Sequence, residues 1–326
     1  MRKLRFRFAS RHSVAVFLLL TSAVLVYAVA SVWTLLSLLV VDGSADCIAL
    51  DELADTQTPF SSTNASLHKE LIPQIIHQTY INESIPAQWQ LARHSCLELH
   101  TPEDGWEYKL WTDKLSREFV AAEYPWFLAA FDGYRYPIQR ADAIRYLVLA
   151  HYGGIYIDLD DGCNRNLDPL RAYPAWLRQA VPTGISNDVM GSVPQHPFFL
   201  KAVDSLQRYN KNWFLPYITV MASTGPLFLS LIWRHYSTDL QYMPPPDAVA
   251  GDAVGVVRRV RLLLRSQYMG IESSFFSGYP GSSWHEADAR LVFWMHDHWV
   301  LLVVLGSALA YLVFLYSWRA WRRLIR

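Results

Sequence analysis

The chain is 326 residues long, 52% hydrophobic and 14% aromatic, enough to bury a core larger than one small domain needs. Its formal charge of zero hides an asymmetry: nine of the 29 basic residues sit at the two ends, leaving 20 against 29 acidic residues in between. So acidic a middle excludes a basic nucleic-acid surface.

The first segment, 1–13, is a basic tail carrying Arg2, Lys3, Arg5, Arg7 and Arg11 without an acid. Val14 to Val41 follows with 28 residues and no charge, longer than the roughly 20 helical residues a bilayer crossing takes. It exceeds the core of a signal peptide, and no small-x-small cleavage site ends it. Near the other end, Trp299 to Trp318 is again free of charge and is bounded by tryptophans, as at a membrane interface. The tail 319–326 holds Arg319, Arg322, Arg323 and Arg326. Basic residues outside both apolar runs predict two transmembrane helices, with both termini cytosolic and 42–298 luminal. The sequons Asn64-Ala-Ser66 and Asn82-Glu-Ser84 agree with that topology. Cys47, Cys96 and Cys163 define no disulfide framework, although Cys96 and Cys163 can pair in an oxidising lumen and leave Cys47 over.

Residues 42–70 are rich in Asp, Ser, Thr and Ala and read as a luminal stem. The catalytic domain, 71–298, begins with Ile72 to Tyr80, an apolar strand that ends in His77, Gln78 and Thr79. A helix with Trp89, Leu91, Ala92 and Cys96 comes next, and Trp106 to Trp111 reads as a second strand. Alternating strands and helices predict an α/β fold with a mostly parallel sheet covered on both sides. Ligands of such sheets bind beyond the carboxyl ends of the strands.

The centre of the chain is Tyr136 to Cys163, YPIQRADAIRYLVLAHYGGIYIDLDDGC. Pro137 suits the first turn of a helix, whose face toward the sheet would hold Ile144, Leu147, Val148 and His151. Asp142 and Arg145, three apart, share one helix face. They read either as a local ion pair or as an acceptor and a donor aimed at sugar hydroxyls. Gly153-Gly154 ends the helix, and the apolar run Ile155-Tyr156-Ile157 then stops at Asp158, Asp160 and Asp161. Carboxylates closing a buried strand are costly unless a cation sits there. Hard divalent cations favour such oxygens, and Mg²⁺ or Mn²⁺ keeps positions open for phosphate. The Asp-x-Asp of haloacid-dehalogenase phosphatases is a rival, but it wants Gly and then Thr or Val after the second Asp, whereas Asp160 is followed by Asp161-Gly162-Cys163.

The run RADAIRYLVLAHYGGIYIDLDDG resembles the Asp-x-Asp sugar-transfer region of a family of retaining glycosyltransferases with a GT-A-type, Rossmann-like fold. The family includes the fungal Golgi initiating α-1,6-mannosyltransferase and the mannosyl inositol-phosphoceramide synthases. The likeness runs from about Ile72 to Asp288 and also takes in YPIQR, PTGISNDVMGS, PYITVMASTGPLF and GSSWHEAD. The last three motifs, with a span at each end, are most similar to the synthase branch. The resemblance implies a Golgi membrane enzyme that moves mannose from GDP-mannose to inositol phosphoceramide in sphingolipid synthesis. It also implies a multi-span regulatory membrane subunit and a divalent cation, Mn²⁺ or Mg²⁺. A glycoprotein glycan as acceptor, or a non-catalytic subunit of the same fold, are the alternatives.

Carried over by position, the resemblance makes Asp142 and Arg145 the donor-sugar pair, Asp158 a contact to ribose or metal, and Asp160 a direct metal ligand. Ser283 and Trp284 would close over the diphosphate, and His285 would be the second metal ligand. His77, Gln78 and Thr79 would border the guanine and ribose. Leaving-group charge on the β-phosphate calls for a cation, and an oxocarbenium-like sugar for a carboxylate or amide on its other face. Asn187 and Asp188 are candidates for that face, although Ser-Asn-Asp equally suits a turn. Finally, Arg258, Arg259, Arg261 and Arg265 are mixed with apolar residues over Val256 to Phe276. They read as a membrane surface meeting an anionic headgroup, or as an amphipathic helix packed on the core.

Overall fold

The computed structural model describes residues 70–242 apart from 181 and 182, together with 44–49, 52–53, 258–268, 274–281 and 287–308 and a few single positions. Strand β1 (Ile75–Tyr80), helix α1 (Ala87–Leu99) and β2 (Glu107–Thr112) open the domain. Helices α2 (Asp113–Glu123), α3 (Leu128–Asp132) and α4 (Pro137–Tyr152) lead to β3 (Gly154–Ile157), and β4 (Asp161–Cys163) follows. Next come β5 (Ala175–Gln179), β6 (Ile185–Ser192), α5 (Pro197–Tyr209), α6 (Pro216–Ser223) and α7 (Pro226–Tyr242). The chain closes with β7 (Arg261–Leu263), β8 (Phe276–Gly278) and α8 (Ala287–Asp297).

The six-stranded sheet has the order β2-β1-β3-β6-β5-β7. Strand β1 pairs in parallel with β2 and β3, and β5 with β7, while β6 runs antiparallel to both of its neighbours. Five strands therefore point one way, and the expected mostly parallel sheet carries one reversed strand. Period-two alternation divides the core. On β3, Ile155 and Ile157 join the cluster of Ile76, Trp176 and Phe276, whereas Tyr156 joins that of Leu147, Phe198 and Phe228.

Helix α4 is enclosed almost all round, with buried positions from Gln139 through Ala150. Its first turn is closed by the Tyr136 N–H donating to Gln139 Oε1 at 3.0 Å. Its end needs the glycine pair. Gly153 and Gly154 have φ of +66° and +95°, and a Cβ would fall 2.6 Å from Pro194 at the first and 2.6 Å from the Ile75 carbonyl at the second. Without side chains there, β3 reaches β1 and delivers its last residues to the sheet's carboxyl edge.

Cys96 on α1 and Cys163 on β4 form a disulfide across 67 residues, with a Cα separation of 4.7 Å. The chain-entropy relation gives about 4 kcal/mol for a closed loop of that length. Replacing both cysteines with serine is expected to lower stability by about 2–4 kcal/mol in chemical denaturation, with most of the loss in the midpoint.

Two expectations need correction. Residues 42–70 are not stem throughout, because Ile48 and Leu53 are buried in the core and Cys47 bridges to Leu262 alongside β7. Nor do the arginines of 258–265 lie on an amphipathic helix: Arg261 belongs to β7, which pairs with β5 through Leu262 and Leu263. Arg261 donates to Glu52 Oε1 at 2.7 Å and to the Cys47 carbonyl, and Arg259 donates to Asp46 at 2.7 Å. Arg265 is exposed in a short turn, and the Arg258 carbonyl accepts from Tyr236. Sequence hydropathy missed the reason, which is that the apolar residues here fill a strand while Arg259 and Arg261 clamp Asp46, Cys47 and Glu52 onto its edge.

The expected spans fall largely outside the described residues. Within 14–41 only Ser22 and Val26 are described. Trp299–Ala308 is helical and follows Ala287–Met295 at a bend of 75°. Pro216–Leu240 is also long and apolar, but it is 67% buried inside the protein and serves as core.

Candidate active site

Asp158 and Asp160 do not project from a strand, as an alternating β pattern would have it. Strand β3 ends at Ile157, and residues 158–160 turn, with the Asp161 N–H donating to the Asp158 carbonyl at 3.0 Å. The Asp158 N–H donates to the Asp188 carbonyl at 2.8 Å, which ties the turn to β6.

The turn separates two cavities. The first, ≈ 380 Å³, is lined by Thr79, Tyr80, Trp89, Tyr136, Tyr217 and Asp288 among others. The second, ≈ 300 Å³, is lined by Asp142, Asp161, Arg178, Asn187, Asp188 and Tyr279 among others. Arg145, Asp158 and Asp160 line both.

Beneath the turn lies a buried polar network. Arg145 donates to Asp158 Oδ2 and to the Asn187 carbonyl, each at 2.9 Å, and lies 3.4 Å from Asp142 Oδ1. Asp142 also accepts from Asn187 Nδ2 and from Thr224 Oγ1, both at 3.0 Å. Asn187 Nδ2 reaches Tyr146 as well, at 3.0 Å. The other Asp158 oxygen accepts from the Tyr156 hydroxyl at 2.7 Å. The Asp142–Arg145 pair is thus not a solvated surface pair, although both residues line the second cavity. It is the internal brace of the Asp-x-Asp turn.

On the other side, Arg178 of β5 lies 3.0 Å from Asp161 and 3.1 Å from Asp188 and stacks over Tyr268 at 4.2 Å. Five carboxylates, those of Asp142, Asp158, Asp160, Asp161 and Asp188, therefore share two arginines. Burial pushes Asp158 up to about 7 in spite of Arg145, and burial likewise raises Asp142, Asp160 and Asp161. The cluster has an unmet demand for positive charge.

Asp160 is where that demand is open. Among the described residues no other side chain donates to its carboxylate, whereas each of the other four has an arginine or a hydrogen-bonding partner. A half-buried carboxylate beside Asp158 with only a backbone donor among the described residues fits a hard divalent cation, which holds one or two protein carboxylates and completes its sphere with phosphate and water. Among the described residues no group of three or more His, Cys, Asp or Glu side chains is arranged to hold a metal ion.

The chain returns to this spot from β8. The Tyr279 N–H donates to the Asp160 carbonyl at 2.7 Å, and Trp89 Nε1 donates to the Pro280 carbonyl at 2.9 Å. Gly281 packs directly on Asp160, for a Cβ there would lie 1.5 Å from Oδ2. Any larger residue would displace the carboxylate. The expected ligands Ser283, Trp284 and His285 lie outside the described residues.

The first strand needs a further correction. His77 is completely buried, one ring nitrogen 2.9 Å from the Gly153 carbonyl and the other accepting from Trp111 Nε1 at 3.0 Å, so it braces the glycine turn and borders no ligand. Gln78 is also fully buried, and only Thr79 reaches the first cavity. Strand position predicted all three at the right edge, but His77 and Gln78 lie short of it and are enclosed on opposite faces of the sheet, with Trp111 closing over His77. Burial lowers the His77 pKa from 6.5 to about 4. Below 6.5 the unfolded chain takes a proton that the folded chain refuses, so this contribution to stability falls as pH drops from 6.5 to 4. The shift corresponds to on the order of 3 kcal/mol at the acid end. The raised carboxylates act in the opposite sense, so the His77 share is the difference between the pH–stability curves of wild type and His77→Gln.

Sequence reasoning missed Arg178, Tyr156, Thr224 and Trp89. Each is distant in sequence from the carboxylate it serves or lacks any motif, and only Tyr156, within the strand itself, offered a local cue.

The residues 86–176, which hold α4 and the Asp-x-Asp turn, match the model of the glycosyltransferase sugar-binding region containing the DXD motif. The mannosyl phosphorylinositol ceramide synthase CSH1 of Saccharomyces cerevisiae is 47% identical over 89% of this chain and 73% of its own length. Its paralogue SUR1 is 48% identical over 86% of this chain and 67% of its own. The chain belongs to the mannosyl phosphorylinositol ceramide synthase family of DXD-motif glycosyltransferases. Inositol phosphoceramide mannosyltransferase 2 of Schizosaccharomyces pombe, 46% identical over 77% of the chain and 69% of its own length, is a further relative. In this glycosyltransferase family member, then, the braced turn with Asp158 and Asp160 lies inside the matched sugar-binding region.

Proposed function

We propose that the enzyme transfers mannose from GDP-mannose to the inositol of inositol phosphoceramide, with retention at the anomeric carbon. The observation that carries this reading is that Asp158 and Asp160 line both of two adjoining cavities, which leaves room for a donor and an acceptor around one pair of carboxylates. The names of the relatives supply the donor sugar and the lipid acceptor. The domain is of the GT-A type, with nucleotide against Thr79 and Trp89 in the first cavity, the acceptor headgroup entering the same cavity past Pro216 and Tyr217, and the sugar in the second.

Asp160, Asp158 and His285 hold a divalent cation, Mn²⁺ in preference to Mg²⁺, which when bound neutralises charge on the departing diphosphate. The chain's own residues do the rest. Arg145 fixes the orientation of Asp158 from below. Ser283 and Trp284 close over the diphosphate. Arg178 keeps Asp188 facing the second cavity, where it and Asn187 border the anomeric carbon.

Residues 14–41 and 299–318 cross the Golgi membrane, the tails 1–13 and 319–326 face the cytosol, and the catalytic domain is luminal. A multi-span membrane subunit is its regulatory partner. The purified full-length enzyme, supplied with GDP-mannose, is expected to mannosylate inositol phosphoceramide and not a mannosylated glycan, and only with a divalent cation present. Transfer to the glycan with none to the lipid would overturn the acceptor, and full transfer in excess EDTA would overturn the cation.

A further inference from the structure

The loop ahead of α6 exposes two aromatic side chains, Trp213 by 45% and Phe214 by 96%. The loop is not loose. The Trp213 N–H donates to Thr219 Oγ1, the Phe214 N–H to Asn212 Oδ1 at 3.0 Å, and the Leu215 N–H to the Trp213 carbonyl. Phe214 also takes φ of +68°, a conformation that a bulky L-residue adopts only where its surroundings impose it. A built and strained turn that holds a phenyl ring entirely in the open calls for an apolar partner.

The neighbouring element has the same character. The Tyr217 N–H, two residues beyond the loop, donates to Asp288 Oδ2 at 2.6 Å, and its ring meets Phe293 edge-on at 5.5 Å, which docks α6 on α8. Outward from that contact, Leu291, Trp294 and Met295 of α8 are each more than 40% exposed, and Trp299 is 62% exposed. Trp299–Ala308 then leaves at 75°. The charge-free sequence runs on to Trp318. Pro216, Tyr217 and Asp288, at the root of this surface, line the cavity that reaches Asp158 and Asp160.

We infer that Trp213 and Phe214, together with Leu291, Trp294, Met295 and Trp299, form a plate that enters the headgroup–acyl boundary of the bilayer and seats the mouth of the first cavity at the membrane surface. The inference rests on the proposed crossing of the bilayer by 299–318. A helix bent 75° from such a span lies close to the membrane plane, which is where an apolar, aromatic-rich helix face is stable. Its continuity with the span selects lipid over a soluble protein as the partner. The consequence for the reaction is that a lipid headgroup reaches the site without its chains leaving the membrane.

The test uses the full-length protein carrying Cys47→Ser and Phe214→Cys, labelled at the new thiol with an environment-sensitive fluorophore and reconstituted into phosphatidylcholine–phosphatidylinositol vesicles. Quenching by lipids brominated near the glycerol end of the chains, with little quenching by aqueous iodide, is expected. Strong iodide quenching overturns the plate, and protection from both quenchers overturns the lipid partner in favour of a protein cover. In parallel, Phe214→Asp is expected to raise the KM for vesicle-borne inositol phosphoceramide at least tenfold, with GDP-mannose hydrolysis in the absence of acceptor unchanged. An unaltered KM overturns the seating role. Failure of the wild type to use that lipid would fall on the proposed acceptor, and the quenching result would stand independently.

Discussion

Asp160→Ala is expected to reduce mannose transfer on the order of 10²- to 10³-fold, as when a single preorganised electrostatic contact to a developing charge is lost. Melting temperature should be unchanged or slightly higher. The second expectation separates this residue from its neighbours. Asp160 has no cationic partner among the described residues, and burial already raises its pKa, so the carboxylate is a cost to the fold that alanine removes. Excess Mn²⁺ should not restore the rate, because the missing group is the bare ligand itself. The measurement is donor turnover beside a thermal melt of the same preparation. Activity within tenfold of wild type would sink the metal role of Asp160, and a collapse of the melt would sink the claim that the residue serves chemistry rather than structure.

Arg145→Ala should be the most destabilising single change at the site. Arg145 is buried, and its guanidinium serves Asp158 Oδ2, the Asn187 carbonyl and Asp142 at once. Alanine would strand two enclosed carboxylates, for which about 3–5 kcal/mol is the usual cost of breaking a buried pair. In a domain of this size that amounts to a loss on the order of 10 °C in Tm. Arg145→Lys should recover little, because one ammonium cannot span the three acceptors that a planar fork reaches together. Activity should fall in both variants, since the Asp-x-Asp turn loses its brace. A destabilisation below about 1 kcal/mol in urea denaturation would mean that the network does not hold the turn. Asp160→Ala and Arg145→Ala thus make opposite predictions for stability although the two residues line the same cavities.

Much of this was legible along the chain. Pro137, the apolar helix and the Gly-Gly stop mark α4 and β3 to within a residue, since proline, glycine and period each act over a few positions. The pairing of Cys96 with Cys163 was readable only as an option, because spacing constrains no disulfide; the packing of α1 against β4 made it. The region of the arginines was misread for a physical reason. A short buried edge strand and a membrane-binding helix have the same composition, and only the sheet register of Leu262 and Leu263 tells them apart. His77 was misread because a polar residue at a strand's carboxyl end points either to the ligand or to the core, and the partner that decides, Trp111, lies 34 residues away.

The sequence by itself determined the Asp-x-Asp at the strand's end and its demand for a cation, because carboxylates that end an apolar strand need positive charge wherever the strand is placed. It also carried the family, through runs of residues that local spacing preserves. The tertiary structure alone decided how the roles are divided among those carboxylates. Asp142, Asp158, Asp161 and Asp188 are engaged by Arg145, Arg178, Tyr156 and Thr224, which come from different strands and helices. Among the described residues, only Asp160 of the five is left without a side-chain partner, packed against Gly281. Which of five similar carboxylates remains free is set by which partners arrive from elsewhere in the chain, and that is fixed only when the sheet and its covering helices close around the turn.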